Sequence, residues 1–535
     1  MAKLYKPKQN KAQKLIDAVM QSARNIGSFY VMLYLLLMAV WFPFFLTWGY
    51  RQAGTDKSML FRYLGLGLLI SVLPCMLVYW FCQWKRDGKK KFFENICDSD
   101  KLVFAFGFVV LVSYLCSENR EEAFWGTKGW YIGFVTLMVY IASYLFISRF
   151  LEGKLILIPL FAASSSVSFL LGVLNRFSVY PLELEEANAV FISTLGNINW
   201  FCGYWSVFFP MAVGLFYRGH KARLGYRVFT GLYLAIATAA GAVQGSDSAM
   251  LVFAAVMLMV FCVSCKTNEQ RMAFYETVMV ICGVCQFLRV VRVIFPEAMN
   301  YDCATTELLT GGNLTLILFV AAFLLWELFR RLEKQGKDIS NILSKERFVI
   351  LAILMVGFCV LVGLLIQNTL YPGSIGELSD IAVFTFDASW GSNRGATWTA
   401  GLRVFDDMTL GRKLVGLGPD CFAYGVYKDG SSAIQIVKDT FGNSRLTNAH
   451  NEWITVLVNM GLLGLFSYVG MFFSKTARYI KKGAASPFVF ACGLSLIGYM
   501  SNNLFSFQQV LNGPFVFIMM GIGEAIIRGK NEKNY

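Results

Sequence analysis

Fourteen apolar blocks, most of roughly 17–25 residues, run through this chain and leave it few ways to fold. They lie near 28–49, 59–83, 102–117, 129–148, 155–174, 198–217, 228–246, 248–264, 275–295, 313–330, 348–367, 449–473, 487–508 and 513–528. Blocks of this length cross about 30 Å of hydrocarbon as helices. A backbone in lipid must satisfy its own hydrogen bonds, which excludes loose loops and open sheets there. The expectation is an all-α polytopic membrane protein with twelve to fourteen spans, fourteen favoured, because some blocks are short or interrupted. Hydrophobic residues at 56% against 15% charged agree with that class. The first block keeps a basic leader and lacks a small-residue cleavage site, so it reads as a retained span.

Charge orients the bundle. With the N-terminus inside, the segments between alternate blocks hold 33 of the 48 Lys and Arg, among them "KRDGKKK" at 85–91 and "KTARYIKK" at 475–482. The positive-inside rule then places both termini in the cytoplasm. The net +14 is this topological signal together with attraction to anionic lipid. No basic, aromatic-interleaved soluble domain exists to engage nucleic acid. The expected organisation is a basic cytoplasmic N-terminus (1–27), spans one to eleven (28–367), a large extracytoplasmic loop (368–448) before the twelfth span, spans twelve to fourteen (449–528) and a cytoplasmic tail (529–535). The loop is nearly neutral, with seven basic and eight acidic residues, and its aromatic content favours a packed element over a tether. Chemistry on that face proceeds without ATP or nucleotide sugars. Most of the 13 cysteines fall inside spans as small hydrophobes. Cys303 and Cys421 fall outside them, and a disulfide between the two is one possibility.

One of the chain's two histidines stands where the loop gives way to the twelfth block, in "TNAHNEWITVLVNMGLLGLFSY" (447–468). With Thr447 or Asn448 as N-cap, His450 falls in the first helical turn. It then shares a stripe with Ile454, Leu457, Gly461, Gly464 and Tyr468. Glycines on that stripe let a neighbouring helix approach closely. The positive end of the helix dipole favours a neutral imidazole, which is what a general base requires. The competing reading is an interfacial histidine that merely caps a helix.

"HN" followed by nine residues and "GLLG" resembles the His-Asn-x9-Gly-x-x-Gly signature of the O-antigen ligase and O-antigen polymerase superfamily, in which the signature closes a large periplasmic loop. His450, Asn451, Gly461 and Gly464 match it. "STLGNINWFCGYW" (193–205) is similar to the family's Gly-Asn-x-Asn segment through Gly196, Asn197 and Asn199. "SNRGATWTAGLRVFDD" with "LVGLGPDCF" resembles its loop pattern through Arg394, Trp398, Gly416 and Gly418, and "ENREEAFWGTKGWYIG" (118–133) looks like an earlier outer loop. The family region is expected over about 190–470.

The resemblance implies a metal-independent, cofactor-free inverting glycosyltransferase of the bacterial cytoplasmic (inner) membrane, its active site facing the periplasm or exterior. The donor would be a glycan on polyprenyl diphosphate, and the acceptor a hydroxyl of a glycan, a lipid core or a protein. His450 would be the base and Arg394 a catalytic cation, since a guanidinium matches diphosphate oxygens bidentately. Arg176, Arg289 and Arg292 are further phosphate candidates. The last two sit three apart in "CQFLRVVRVIFP", where cavity-facing and snorkelling readings stand side by side. Asn197, Asn199 and Asn451 are candidate substrate contacts, and so is Trp398, for which loop packing is the alternative. The family often carries Ser-Arg where this chain has Ser246-Asp247. A carboxylate would repel phosphate, so Arg289 or Arg292 is expected to supply the lost charge. Asp247 would then orient an arginine or the acceptor, or simply cap a helix. The other class of function open to such a chain is a lipid-linked glycan flippase or polysaccharide transporter. Internal repeats and mid-membrane charges would mark one, and neither is seen in the sequence.

Overall fold

The computed structural model describes residues 11–532 apart from 48, 95, 152–156 and 338. The start of the basic N-terminus (1–10) and the end of the tail (533–535) lie outside the described residues. Each of the fourteen apolar blocks contains one helix: α1 (Lys11–Val40), α2 (Ala53–Glu94), α3 (Asp98–Cys116), α4 (Phe134–Phe150), α5 (Leu157–Arg176), α6 (Ile198–Arg218), α7 (Leu224–Val243), α8 (Ser248–Ser264), α9 (Asn268–Ile294), α10 (Leu314–Lys334), α11 (Ser340–Leu370), α12 (Glu452–Lys482), α13 (Pro487–Asn502) and α14 (Gly513–Glu532). Among the described residues nine of them, α1–α3, α5–α7, α9, α11 and α12, are long and apolar enough to cross a membrane. A tenth candidate arises if the short helix Ala304–Thr310 is joined to α10 across their 50° bend. The apolar helices α4, α8 and α13 are shorter. The sheet content described is one two-stranded hairpin, Phe191–Ile192 against Gly196–Asn197. The fold is thus an all-α polytopic membrane fold.

Helix α6 forms the centre. Its "NWFCGYWSVFFP" run places aromatics around the whole circumference, so it has no polar face to offer solvent and is buried almost throughout. It packs against α7 and α13, and α13 in turn packs against α12 and α14. Helix α11 is the opposite case: its apolar stretch is exposed along its length. It is fastened at its two ends, by the Arg271–Glu346 ion pair (2.7 Å) at one and by Asn368 Nδ2 donating to Thr385 Oγ1 (2.8 Å) at the other.

The loop between α11 and α12 is a packed element, as its aromatics suggest. Four helices, Trp390–Asp406, Leu410–Val415, Phe422–Tyr427 and Ile434–Phe441, close around Val404, Phe422, Val426, Val437, Leu446 and Ala449. Full burial of each large apolar side chain is worth about 1.5–3 kcal/mol, enough to make the loop a rigid platform. Ion pairs hold it to the segment after α3: Glu118 meets Arg412 (3.3 Å) and Lys428 (2.9 Å), and Glu122 meets Arg445 (3.2 Å).

The glycine motif of α12 does something other than expected. Gly461 adopts φ 67 and breaks the helix, and a Cβ there would fall on the Leu414 carbonyl of the loop. On the other side, Gly416 has φ 79, and a Cβ there would fall on the Asn459 carbonyl. The carbonyls freed by the break are taken up by the loop, with Leu417 N donating to Val458 O (3.1 Å) and Gly418 N to Asn459 O (2.9 Å). Irregular backbone of this kind is tolerated in a membrane protein where other protein groups satisfy it. The two glycine motifs are therefore the two sides of one junction, and the neighbour that Gly461 admits is the loop, not another span.

Candidate active site

His450 does not lie in the first turn of α12. Asn451 is the N-cap, its Oδ1 accepting from Trp453 N (2.9 Å) and Ile454 N (3.2 Å), and this leaves His450 one residue outside with φ 49. The expected stripe therefore does not begin at the histidine. A β-carbon-bearing residue in the left-handed region stores strain that its surroundings must over-determine. Among the described residues eight non-glycine residues have positive φ, and four of them, Ser392, Asn393, Asp420 and His450, belong to the loop and its junction with α12. The backbone N–H of His450 is fixed by Asn448 Oδ1 (3.0 Å), and its ring meets Phe507 edge-on at 5.2 Å. Neither ring nitrogen bonds a described residue, and the side chain is partly open to solvent. Burial, followed by the charge of Arg394, lowers its pKa to about 4. The neutral ring anticipated from the helix dipole is thus secured mainly by desolvation.

Arg394 follows three residues in left-handed backbone, Gly391 to Asn393, which turn the start of the Trp390–Asp406 helix back on itself. Its Nε donates to Phe505 O (3.0 Å) and its Nη1 to Gly391 O (2.7 Å). Nη2 has no partner among the described residues. The guanidinium lies 5.7 Å from the Phe505 ring centre. Burial lowers its pKa, and the negative charge of Asp247 partly offsets this. Arg394 is therefore the cation within electrostatic reach of both His450 and Asp247.

The remaining candidates separate. Arg176 is committed to oxygens of its own protein. It is fully buried, and its guanidinium donates to Val243 O (2.8 Å), Gln244 O (2.8 Å), Ala189 O (2.8 Å) and Asn300 Oδ1 (3.0 Å), clamping α5 to the end of α7. Arg292 donates to Thr310 Oγ1 (2.5 Å), Asp302 (2.5 Å) and Glu307 (3.3 Å), and Arg289 to Asn313 Oδ1 (2.5 Å). They border an open groove of about 540 Å³ whose lining includes neither His450 nor Arg394. Arg292 already meets two carboxylates, Arg289 meets none among the described residues, and Asp247 acts electrostatically on Arg394. Asp247 stands at the start of α8, and its Oδ1 accepts from Thr305 N (3.0 Å). Asn197 caps α6 through Asn199 N (2.9 Å), so its Oδ1 is committed to the backbone, like that of Asn451. Asn199 accepts from Ser246 Oγ (2.8 Å) and so joins a buried chain through Ser248 to Asn502. Trp398 is half-buried between Trp390 and Phe505, at 5.4 and 5.5 Å, and its indole N–H has no partner. Cys303 and Cys421 are both free thiols.

Sequence reasoning missed the residues after α13. Block 487–508 read as one apolar stretch, but α13 ends at Asn502 and residues 503–512 fold back beneath the site. Phe505 supports Arg394, and Phe507 walls His450. Trp130, in the segment matched loosely at 118–133, packs on Phe507 at 4.8 Å. The polar density of "SNNLFSFQQVLNGP" within an apolar region was the available signal, since intramembrane polar groups are costly and tend to be functional.

Fold and site together define a polytopic membrane protein whose large loop and broken helix bring a histidine and an arginine to one junction. Residues 305–469 match the O-antigen ligase family, which supports membership of the O-antigen ligase superfamily. The match takes in Arg394, His450 and Gly461 and starts later than the expected 190. The match supports an O-antigen ligase-type membrane enzyme of polysaccharide biosynthesis, a family that implies a lipid-linked glycan donor and a bilayer. No curated protein matches it.

Proposed function

We propose that this protein transfers a glycan from polyprenyl diphosphate to an acceptor hydroxyl at the outer face of the bacterial cytoplasmic membrane. Fourteen helices cross that membrane in this reading, with both termini in the cytoplasm. The observation that carries it is the His450 ring, neutral and unpartnered on both nitrogens, beside an arginine with free N–H groups. His450 removes the proton from the acceptor hydroxyl as its oxygen bonds to the anomeric carbon. The bond from that carbon to the diphosphate oxygen breaks on the opposite side, and the electron pair leaves with the diphosphate. Attack from the opposite side inverts the anomeric centre, and no step calls for a metal or cofactor. Arg394 stabilises the charge developing on the leaving group, where preorganised donors in a poorly hydrated site are most effective. The donor's negative charge also offsets that of Arg394 and raises the basicity of His450, bringing it closer to the working pH as substrate binds. The proton then passes from imidazole to solvent.

The test is His450→Ala in purified protein supplied with polyprenyl-diphosphate-linked glycan from the source membrane. Transfer is expected to fall by about 10²–10⁴-fold, while donor binding survives. Transfer within threefold of the unmodified protein would refute the reading.

A further inference from the structure

Residues 503–508 touch both members of the site. Phe505 gives its carbonyl to Arg394 Nε (3.0 Å) and its ring to the guanidinium face, while two residues on Phe507 meets the His450 ring. The relative placement of base and cation is thus set by one short segment. That segment has no regular structure, and its polar groups are incompletely paired: Asn503 Nδ2 and Ser506 Oγ are buried without partners. Something else must hold it.

Glu452 grips it at both ends. Its backbone N–H donates to Asn503 O (2.9 Å), and its Oε2 accepts from Gln508 N (2.7 Å). The first bond uses an N–H that a helix start leaves unpaired in any case. The second needs a side chain with an acceptor oxygen at this length. Glu452 is 5% exposed and forms no ion pair among the described residues. It faces a cavity of about 30 Å³ together with Asp420, Asn448, Thr455 and Asn459. A buried carboxyl with no cation beside it is costly, so helix capping alone does not account for it, and Asn451 already serves as the cap.

We infer that Glu452 is a positioning residue, which by holding the Asn503–Gln508 segment fixes the Arg394 guanidinium and the His450 ring relative to each other. This rests on the transferase reading above. Glu452 itself meets neither reacting group. It acts through Phe505 and Phe507, and a displacement of about 1 Å at such a site can cost 10²-fold in rate.

The test uses full-length protein in lipid nanodiscs with polyprenyl-diphosphate-linked glycan from the source membrane. Glu452→Gln keeps an oxygen for the Gln508 N–H, and Glu452→Ala does not. The alanine variant should lose about 10–100-fold in kcat with donor KM within threefold, and the glutamine variant should stay within threefold on both. The pH profile distinguishes positioning from general support of the fold. The charge that acts on His450 is that of Arg394 on the Trp390–Asp406 helix. Asp247 at the start of α8 acts on Arg394 in turn, and Asp420 on the turn before Phe422 lines the cavity that Glu452 faces. None of them is altered in the variant. Loosening Phe507 hydrates the ring, so His450 protonates at higher pH and the acid limb of kcat/KM should move upward in Glu452→Ala. If that variant does not accumulate as folded protein, Glu452→Asp, one methylene too short to reach Gln508, carries the test with the same expected losses. Unchanged kcat and acid limb in the alanine or aspartate variant would overturn the inference, and so would a glutamine variant as impaired as the alanine one. His450→Ala assayed alongside keeps the two readings apart: activity in that variant counts against the transferase, whereas these Glu452 outcomes with His450→Ala inactive count against the positioning role alone.

Discussion

The two ends of α12 handle charge in opposite ways. Near its far end, Lys475 Nζ donates to Asp100 (2.9 Å), Glu524 (3.2 Å) and the Tyr144 hydroxyl, and all three charged side chains are fully buried. Arg149 (2.9 Å) and Arg528 (2.6 Å) close on Asp100, and Arg478 (3.0 Å) on Glu524. Cys97, Asp100 and Glu524 lie close enough together to suggest a metal site, but the Lys475 ammonium already stands among them as the cation. At the near end, among the described residues, His450 has no hydrogen-bonding partner on its ring, and Arg394 spends its bonds on two backbone carbonyls without meeting a carboxylate at ion-pair distance. Every carboxylate at the far end is answered by cations, and that network joins α3, α4, α12 and α14. The near end keeps donors and acceptors in reserve, which is what a group that must engage a substrate requires.

The sharpest way to break this contrast is to remove a member from each end. Lys475→Ala leaves two buried carboxylates short of a partner and should cost about 3–5 kcal/mol of stability, read as a lower melting temperature, with specific activity preserved in the protein that remains folded. Arg394→Ala should do the reverse: melting nearly unchanged and turnover reduced by about 10²–10³-fold. A large melting loss from Arg394→Ala would make the near end structural and erase the distinction. Gly461→Ala tests the junction between the two ends. It forces a side chain onto the Leu414 carbonyl at φ 67, so a loss of at least about 1–3 kcal/mol is expected, together with reduced turnover as the loop is pushed off α12.

Two pH effects are smaller. With His450 lowered to about 4 by burial, kcat/KM should stay level from pH 8 to pH 5 and fall only as pH approaches 4, where the base takes up a proton. The Asp420 carboxyl is raised by burial to about 7. Its protonated form is the one the fold favours, so its contribution to stability is present at low pH and is lost as pH rises through 7. Asp420→Asn, whose amide can still accept from Thr127 N (2.7 Å) and Ile132 N (3.0 Å), should melt above the unmodified protein at pH 8, with the gap narrowing at pH 6.

Hydropathy foretold much of the fold, because a membrane imposes length and apolarity on each helix directly, and all fourteen blocks contain one. Within the site, His450 and Arg394 were singled out by the resemblance of their surroundings to the family signature, since helix geometry alone left His450 between a base and a capping residue. What the glycines accommodate could not be read: Gly416 and Gly461 answer each other across 45 residues of chain, and only the packed loop reveals that. The four protein oxygens around Arg176 were not legible, because an arginine at a helix mouth looks the same in sequence whether its N–H groups face a phosphate or its own protein. The segment 503–512 was hidden because Leu504, Phe505, Phe507, Val510 and Leu511 carry the apolar run past the end of the helix, although Asn503, Ser506, Gln508, Gln509 and Asn512 interrupt it.

Chemical rescue of His450→Gly tests the central claim most directly, by measuring transfer with exogenous imidazole across pH in purified protein. The account expects turnover lost in the variant and recovered at least about tenfold by imidazole, with the recovery following the neutral form of the added base. A variant that transfers at the unmodified rate without imidazole, or a recovery that follows imidazolium, would contradict it.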